Sequence, residues 1–490
     1  MEQDAFEVLH LIRSMKNAMA PINRVPPEVL ILTPDFLDEC NRPRDTITLT
    51  HVCQAWRQIF ISRSSLWTDF HCMDADKTHV YLERSKSSPI RLRLSREGAL
   101  LPNDPFFELV PDAICRLRSL TIEAAPEHLQ NITNHLESRP APLLEELSIY
   151  VDCELEPRRH PVLVPALLGG DLPSLRKLRL HCVRTKLSWR NMANLTSFEL
   201  DHTSPGEISL TQLLDFFESA PHLLRVELNF VTLDYDAQNG RLVSLPCLKS
   251  FCIYGEQPTS PLLDHLLIPA GVELTLEVDL PHSLVEDLLP RSLDNLRNLS
   301  HFALIQIAFN DFHTYISFGG PNGHVGLLLP ISEFDATRIA LESLALFDTS
   351  KTEWLVLRNS NPLSGDLLYK TLKPMKNLRS LAIFQSRNLS AFFRVLDPDQ
   401  DSPGVLVCPE LEELNLEFDR EKGFDVESMV SMTAARASRG AKLKSVRITS
   451  CLKSVPTMVL ELRKHVLHVE HKLGSGGDVE NDSDESGEED

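Results

Sequence analysis

Residues 175–180 read Leu-Arg-Lys-Leu-Arg-Leu, and residues 411–416 read Leu-Glu-Glu-Leu-Asn-Leu. The same spacing, an apolar residue followed by two more at +3 and +5, recurs as LRSLTI (117–122), LEELSI (144–149), LTSFEL (195–200), LLRVEL (223–228) and LKSFCI (248–253). It continues as LSHFAL (299–304), LESLAL (341–346), LRSLAI (378–383) and LKSVRI (443–448). The long step between the copies at 248 and 299 holds a degenerate copy, Val272-Glu273-Leu274-Thr275-Leu276. The last two apolar positions of each copy are two apart, so they share one face of a short strand. The first position turns the incoming chain into the same core. Between copies lie stretches of helical spacing: LTQLLDFFESA (210–220), LSAFFRVL (389–396) and DVESMVSMTAARAS (425–438). Asp425 is a candidate cap for the last. Strand, crossover and strand, repeated, give stacked parallel strands.

This pattern resembles a leucine-rich-repeat protein. The resemblance implies a curved α/β solenoid with strands inside and helices outside, and buried Leu178, Leu180, Leu344, Leu346, Leu414 and Leu416. The family carries Asn or Cys at the ninth position of the repeat. Here that position holds residues such as Ala125, Asp152, Val183 and Thr203, and Cys only at Cys451.

The first hundred residues do not repeat. Residues 4–19 place Val8, Leu11, Met15 and Met19 at helical spacing. In INRVPPEVLILTPDFL (22–37), Pro26 and Pro27 suit a turn or first helical position, Glu28 suits the helix N-terminus, and Pro34 ends or kinks the helix. After Asp45, TITLTHVCQAWRQIF (46–60) carries a helical stripe of Leu49, Val52/Cys53, Trp56 and Ile59/Phe60, and Leu66 and Trp67 close the segment.

VPPEVL (25–30), LTHVCQAW (49–56) and SSLW (64–67), in that order, resemble an F-box, and residues 73–94 resemble the extension found in the large fungal set of F-box-like proteins. The layout is then a helix at 1–20, an F-box-like helical unit at 21–72, a linking segment at 73–99, a degenerate repeat solenoid at 100–473 and an acidic tail at 474–490. The resemblance implies docking on the Skp-family adaptor of a cullin-RING ubiquitin ligase. Its contact candidates are Val25, Pro26, Pro27, Val29, Leu30, Leu49, Val52, Cys53 and Trp56. Packing inside the helical unit is the competing role, and for Leu49 and Trp67 it is the expected one.

Charge narrows the partners. With 49 basic and 69 acidic residues the chain carries −20. That sign disfavours a general binder of nucleic acid or anionic membrane, since both require Lys and Arg against phosphate. No apolar run approaches the ~18 residues of a membrane span. Glu2, Asp4 and Glu7 stand where a signal peptide is basic, so a cytoplasmic or nuclear, non-secreted protein is expected. The sequons at Asn131, Asn194, Asn298 and Asn388 are then chance matches. The ten cysteines form no CxxC, and buried, reduced thiols are expected. GSGGDVENDSDESGEED (474–490) has eight acids and no base, the composition of a solvated, disordered tail.

No catalytic motif emerges: GxSxG, HExxH, P-loop and GxGxxG are absent from the sequence. The cluster FGGPNGHVG (318–326) lacks the basic residue of a P-loop and reads as an inserted loop. His465, His468 and His471 are expected on an exposed C-terminal capping helix at 456–472, without the partners of a metal site. The expectation is a non-enzymatic protein with no cofactor and no metal. Its repeat surface would bind an unidentified substrate protein as the receptor of an SCF-type ubiquitin ligase. The alternative is a repeat scaffold whose acidic tail attracts basic partners. Arg176, Lys177, Arg179, Glu199, Glu227, Glu412, Glu413 and Glu417 lie between the Leu positions and are mixed in sign.

Overall fold

The computed structural model describes residues 2–36, 42–71, 75–96, 111–137, 139–151, 167–185, 192–203, 207–236, 240–279, 284–299, 301–309, 313–321, 323–330, 336–358, 363–384, 389–399, 406–418, 425–450 and 455–473. The chain forms two compact units, Met1–Leu248 and Lys249–Asp490. The acidic tail lies outside the described residues.

The first unit opens with the helix Glu2–Met19 and short helices at Pro27–Leu30, Thr33–Phe36, Arg42–Leu49, Gln54–Ser62 and Ser64–Trp67. Its strands are β1 (Asp69–His71), β2 (Ile90–Arg96), β3 (Leu117–Ala124), β4 (Glu146–Val151), β5 (Lys177–His181), β6 (Ser197–Asp201), β7 (Ile208–Ser209), β8 (Arg225–Asn229), β9 (Leu233–Asp234) and β10 (Val243–Ser244). Strands β1, β2, β3, β4, β5, β6 and β8 pair in that order, all parallel. The sheet therefore starts at residue 69. Its first two strands and the helix Ala75–Ser85 fall in stretches that the sequence reads as the F-box-like unit and the linking segment.

The second unit contains β11 (Ser250–Gly255), β12 (Leu266–Leu267), β13 (Val272–Val278), β14 (Leu304–Phe309), β15 (Thr314–Gly320), β16 (Gly323–Leu329), β17 (Trp354–Arg358), β18 (Ser380–Phe384), β19 (Glu413–Phe418), β20 (Ser445–Ser450) and β21 (His468–Leu473). Its sheet runs β11, β13, β16, β15, β14, β17, β18, β19, β20, β21. Every pairing is parallel except those of β15, which runs antiparallel to both neighbours. Both units thus repeat the strand and crossover of a leucine-rich-repeat architecture, and the second is interrupted by one inserted hairpin, β15–β16.

In nine of the eleven copies all three apolar positions are buried, Leu178, Leu180, Leu414 and Leu416 among them. The degenerate copy at 272–276 is β13. The hydroxyl of Ser209 caps the helix Leu210–Ser219 through Gln212 N–H, and the Asp425 carboxylate caps Val426–Ser438 through Ser428 N–H at 3.0 Å.

Two copies do not make the expected strand. LESLAL (341–346) ends the helix Ala336–Ser343 and forms a 3₁₀ turn, Leu344–Leu346. Leu344 is buried, but Leu346 is 42% exposed. Thr337, Ala340, Leu341 and Leu344 bury one face at three- and four-residue spacing, so helical periodicity wins there. The strand of that repeat is WLVLR (354–358), which buries Leu355 and Leu357. LSHFAL (299–304) is placed early. Apolar residues continue at two-residue spacing, and β14 buries Ile305, Ile307 and Phe309.

The expected C-terminal helix also differs. The helix Val455–Leu462 stops, and His468 and His471 lie on β21, paired with β20. A parallel sheet edge offers unpaired backbone groups, and β21 covers them. Three residues apart on a strand, His468 and His471 point to opposite faces and share no ligand position. The region 46–60 is two helices. Thr46, Ile47, Thr48, Thr50 and Val52 are β-branched and weak helix formers. Thr50 Oγ1 donates to Ile47 O at 2.6 Å, and Cys53 is extended at φ −159°.

Candidate functional site

The helical unit closes on a small core of Leu30, Trp56 and Phe60, against which Val25, Leu49, Cys53, Ile59 and Leu66 pack. Trp56 Nε1–H donates to Asn23 Oδ1 at 2.5 Å, and Trp67 Nε1–H donates to Phe60 O at 2.9 Å. Trp67 is fully buried and meets Tyr81 edge-on at 5.1 Å, with the Arg84 guanidinium 4.3 Å from its ring centre. Burial pushes the Tyr81 hydroxyl up to about 12.

The nine contact candidates divide by exposure. Leu30 and Trp56 are buried, and Val25, Leu49 and Cys53 are half-buried in the same core. Pro26, Pro27, Val29 and Val52 are exposed. Beside them Ile22, Leu32 and Phe36 are also exposed, Phe36 by 86%. Sequence reading missed Phe36 as a surface residue. Phe36 lies at the end of the separate short helix Thr33–Phe36, and no signal in the sequence placed it at the surface. The stripe of the first helix, Val8, Leu11, Met15 and Met19, is exposed as well.

On the solvent face of the first sheet, side chains alternate with the buried ones and form rows across the strands. One row is His71, Arg93, Thr121, Ser148, Arg179, Glu199 and Glu227; another is Ser95, Glu123, Tyr150, His181, Asp201 and Asn229. A cavity of about 340 Å³ opens over β1 to β5, with Arg91, Arg93, Arg179, Ser148, Glu123 and Glu146 among its walls. Lys177 and Glu146 pair at 2.8 Å, and Arg179 and Glu199 at 3.1 Å. The hydrogen bond from Lys177 holds the Glu146 carboxyl below the usual range. Burial, reinforced by Glu227, raises that of Glu199 despite Arg179. Of the residues singled out for this surface, Lys177, Arg179, Glu199, Glu227, Glu413 and Glu417 lie on the strands' solvent face. Arg176 and Glu412 precede their strands.

Asp201 bridges two imidazoles: Oδ2 meets His181 Nδ1 at 2.8 Å, and Oδ1 meets His202 Nδ1 at 2.5 Å. The ligand atoms of His181, Cys182 and His202 lie within 4.8 Å of one another. Cys182 is disulfide-bonded, which corrects the expectation of reduced thiols throughout and leaves its sulfur unavailable to a metal. The scattered cysteine spacing gave no sign of this pairing. Among the cysteines described as free, Cys408 is buried, and burial pushes its thiol up to about 12.

The glycine cluster at 318–326 forms the end of the β15–β16 hairpin. A Cβ on Gly323, at φ +112°, would stand 2.5 Å from Val272 O, and one on Gly320 would stand 2.9 Å from His301 O. These glycines allow close backbone approach, so the inserted element is a hairpin and its glycines have a packing role.

No family model matches the chain, and no curated protein matches it. Among solved structures, a chain from the crystal structure of a TLR13–ssRNA13 complex is similar at 13% identity and a TM-score of 0.37. The match covers 83% of this chain and 54% of that one, so this chain spans about half of that protein's length. No helix among the described residues is long and apolar enough to cross a membrane.

Proposed function

We propose that the protein is a non-enzymatic substrate receptor of an SCF-type ubiquitin ligase, docking a Skp-family adaptor through its helical unit and a substrate protein through its repeats. One observation carries the reading. The segment whose ordered motifs resemble an F-box folds as a compact helical unit that leaves Ile22, Val29, Leu32, Phe36 and Val52 exposed. A unit this small lacks core volume of its own, and a docked partner would cover these exposed apolar side chains. Pro26, Pro27, Val29 and Val52 then contact the adaptor. Leu30, Trp56 and the half-buried Val25, Leu49 and Cys53 support that surface from beneath. Co-purification of the full chain with the adaptor tests the proposal. Val29→Glu with Phe36→Ser should abolish it while the melting temperature of the repeats is kept. A wild-type chain that binds no adaptor sinks the reading. The second reading, a repeat scaffold outside the ubiquitin system, draws on the eight acids of residues 474–490. It predicts that truncation after Leu473 weakens capture of a Lys/Arg-rich partner at low salt.

A further inference from the structure

The solvent face of the second sheet has a chemical pattern that the linear sequence hides. Paired across β14, β17 and β18, Leu304, Trp354 and Ser380 form one row, and Gln306, Val356 and Ala382 the next. Ala308, Arg358 and Phe384 form the third. Trp354 is 43% exposed, Val356 and Phe384 are half-buried, and Ala382 between them is small and buried. This is an apolar saddle on a sheet face that is otherwise polar. The Arg358 guanidinium, the cation inside it, is stacked 4.5 Å over the Phe384 ring. Tyr315 and Leu328, opposite each other on β15 and β16, continue the apolar surface on the far side of β14.

Two acidic strands flank the saddle. On one side β13 presents Glu273 and Glu277, aligned with His324 and Leu328 of β16. On the other, β19 presents Glu413 and Glu417, aligned with Ser380 and Phe384. None of these four carboxylates is in an ion pair among the described residues. By contrast, Glu412 is taken by Lys444 at 2.6 Å and Glu470 by Arg447 at 3.0 Å. Burial raises the Glu277 carboxyl above the usual range, with the His313 imidazole opposing the rise and the Asp279 carboxylate adding to it. The face is thus apolar at the centre, with carboxylates that form no ion pair among the described residues at both ends. Phosphate-rich partners are repelled by it. An exposed Trp is the kind of anchor that dominates protein interfaces.

We propose that this face binds an extended protein segment with large apolar side chains at its centre and Lys or Arg at both ends. The inference rests on the repeats being a protein-binding surface and is independent of adaptor docking. The geometry sets the spacing. From β13 to β19 there are six strand steps of ~4.8 Å, or ~29 Å. An extended chain advances ~3.3 Å per residue, so the two basic ends stand about nine residues apart. With the basic ends on Glu273/Glu277 and Glu413/Glu417, the midpoint falls on β14, and the apolar group reaches from there to Trp354 and Val356 on β17, one strand step away.

Fluorescence anisotropy with the full chain tests this, using the labelled peptide Arg-Lys-Ser-Gly-Leu-Phe-Leu-Gly-Ser-Lys-Arg. Two controls accompany it, one with Glu at the four basic positions and one with Ser at the three apolar ones. The basic apolar peptide should bind, and raising the salt should weaken it. Trp354→Ala should reduce affinity about tenfold or more. The combined change Glu273→Gln, Glu277→Gln, Glu413→Gln and Glu417→Gln should flatten the salt dependence. Trp354→Phe should restore most of the affinity, which separates a lost contact from a damaged fold. Adaptor co-purification is measured on the same variants and should not change. Three outcomes overturn the proposal: no binding of the basic apolar peptide, equal binding of the Glu-ended control, or wild-type affinity in both the Trp354→Ala and four-Gln variants. Self-association of the chain that Trp354→Ala abolishes also overturns it, since the occupant is then a second copy. Failure of adaptor binding with peptide binding intact sinks the ubiquitin-ligase reading and leaves this one standing.

Discussion

Trp56 and Asn23 hold the helical unit together across thirty-three residues of chain, the indole N–H donating to the amide oxygen at 2.5 Å. Asn23 stands just before Val25, Pro26 and Pro27, so this bond fixes the entry to the exposed apolar surface from the buried side. Asn23→Ala leaves a largely buried indole donor unpaired. We expect a loss of about 1–3 kcal/mol in the stability of this unit, read by local hydrogen exchange at 42–62, and weaker adaptor capture. Unchanged protection would mean that the bond is incidental.

Leu414 and Leu346 separate the observed fold from the expected one. Leu414 is the +3 residue of its copy and Leu346 the +5 residue of its own, both expected on the buried strand face, but Leu414 is fully buried and Leu346 is 42% exposed. Leu414→Asp buries a carboxylate without a partner and should cost several kcal/mol, on the order of the penalty for a buried unpaired polar group. Leu346→Asp should change the denaturation midpoint little, within about 0.5 kcal/mol. Equal losses at the two sites would restore the strand at 341–346.

Gly323→Ala places a methyl group 2.5 Å from Val272 O at a backbone φ of +112°. Strain of this kind costs about 1–3 kcal/mol, and the β15–β16 hairpin should be the first element to lose amide protection on warming. Gly240→Ala has open space around its Cβ and carries only the cost of positive φ, so it should be the milder change.

Glu199 gives a pH signature. Burial raises its carboxyl, and Glu227 adds to the rise. A carboxyl raised on folding costs stability when ionised, above its folded value, and costs nothing below its unfolded one. Glu199→Gln should therefore raise the melting temperature near pH 7, and the gain should fade as the pH falls through the ordinary Glu value of about 4.3 and vanish by about pH 3, where the carboxyl is protonated in both states. Glu146 has the opposite sign, because Lys177 lowers its carboxyl. Glu146→Gln should destabilise at neutral pH, and that loss should fade as the pH falls through its folded value. A melting temperature unaffected by pH in both variants would remove the argument.

The six-residue copies were enough to establish parallel strands and to name their buried residues. Apolar residues at +3 and +5 have few ways to bury themselves except on one face of a short strand, and burial in a repeated core is a local property of the pattern. Helix caps at Ser209 and Asp425 are local in the same way. The helical unit was legible for the same reason, through Leu30, Trp56 and Phe60. Where two periodicities coexist, as in ATRIALESLAL, sequence could not decide between helix and strand, because the choice depends on which neighbour needs covering. The edge offered by β20 made 468–473 a strand. The inserted hairpin made glycines at 320 and 323 packing residues. Above all, the charge on the repeat faces reads as mixed along the chain. Only the pairing of strands in the folded sheet brings Glu273 and Glu277 to one flank of Trp354 and Glu413 and Glu417 to the other. Residues 140 apart in sequence come to share one sheet face through register, and register is a property of the folded sheet.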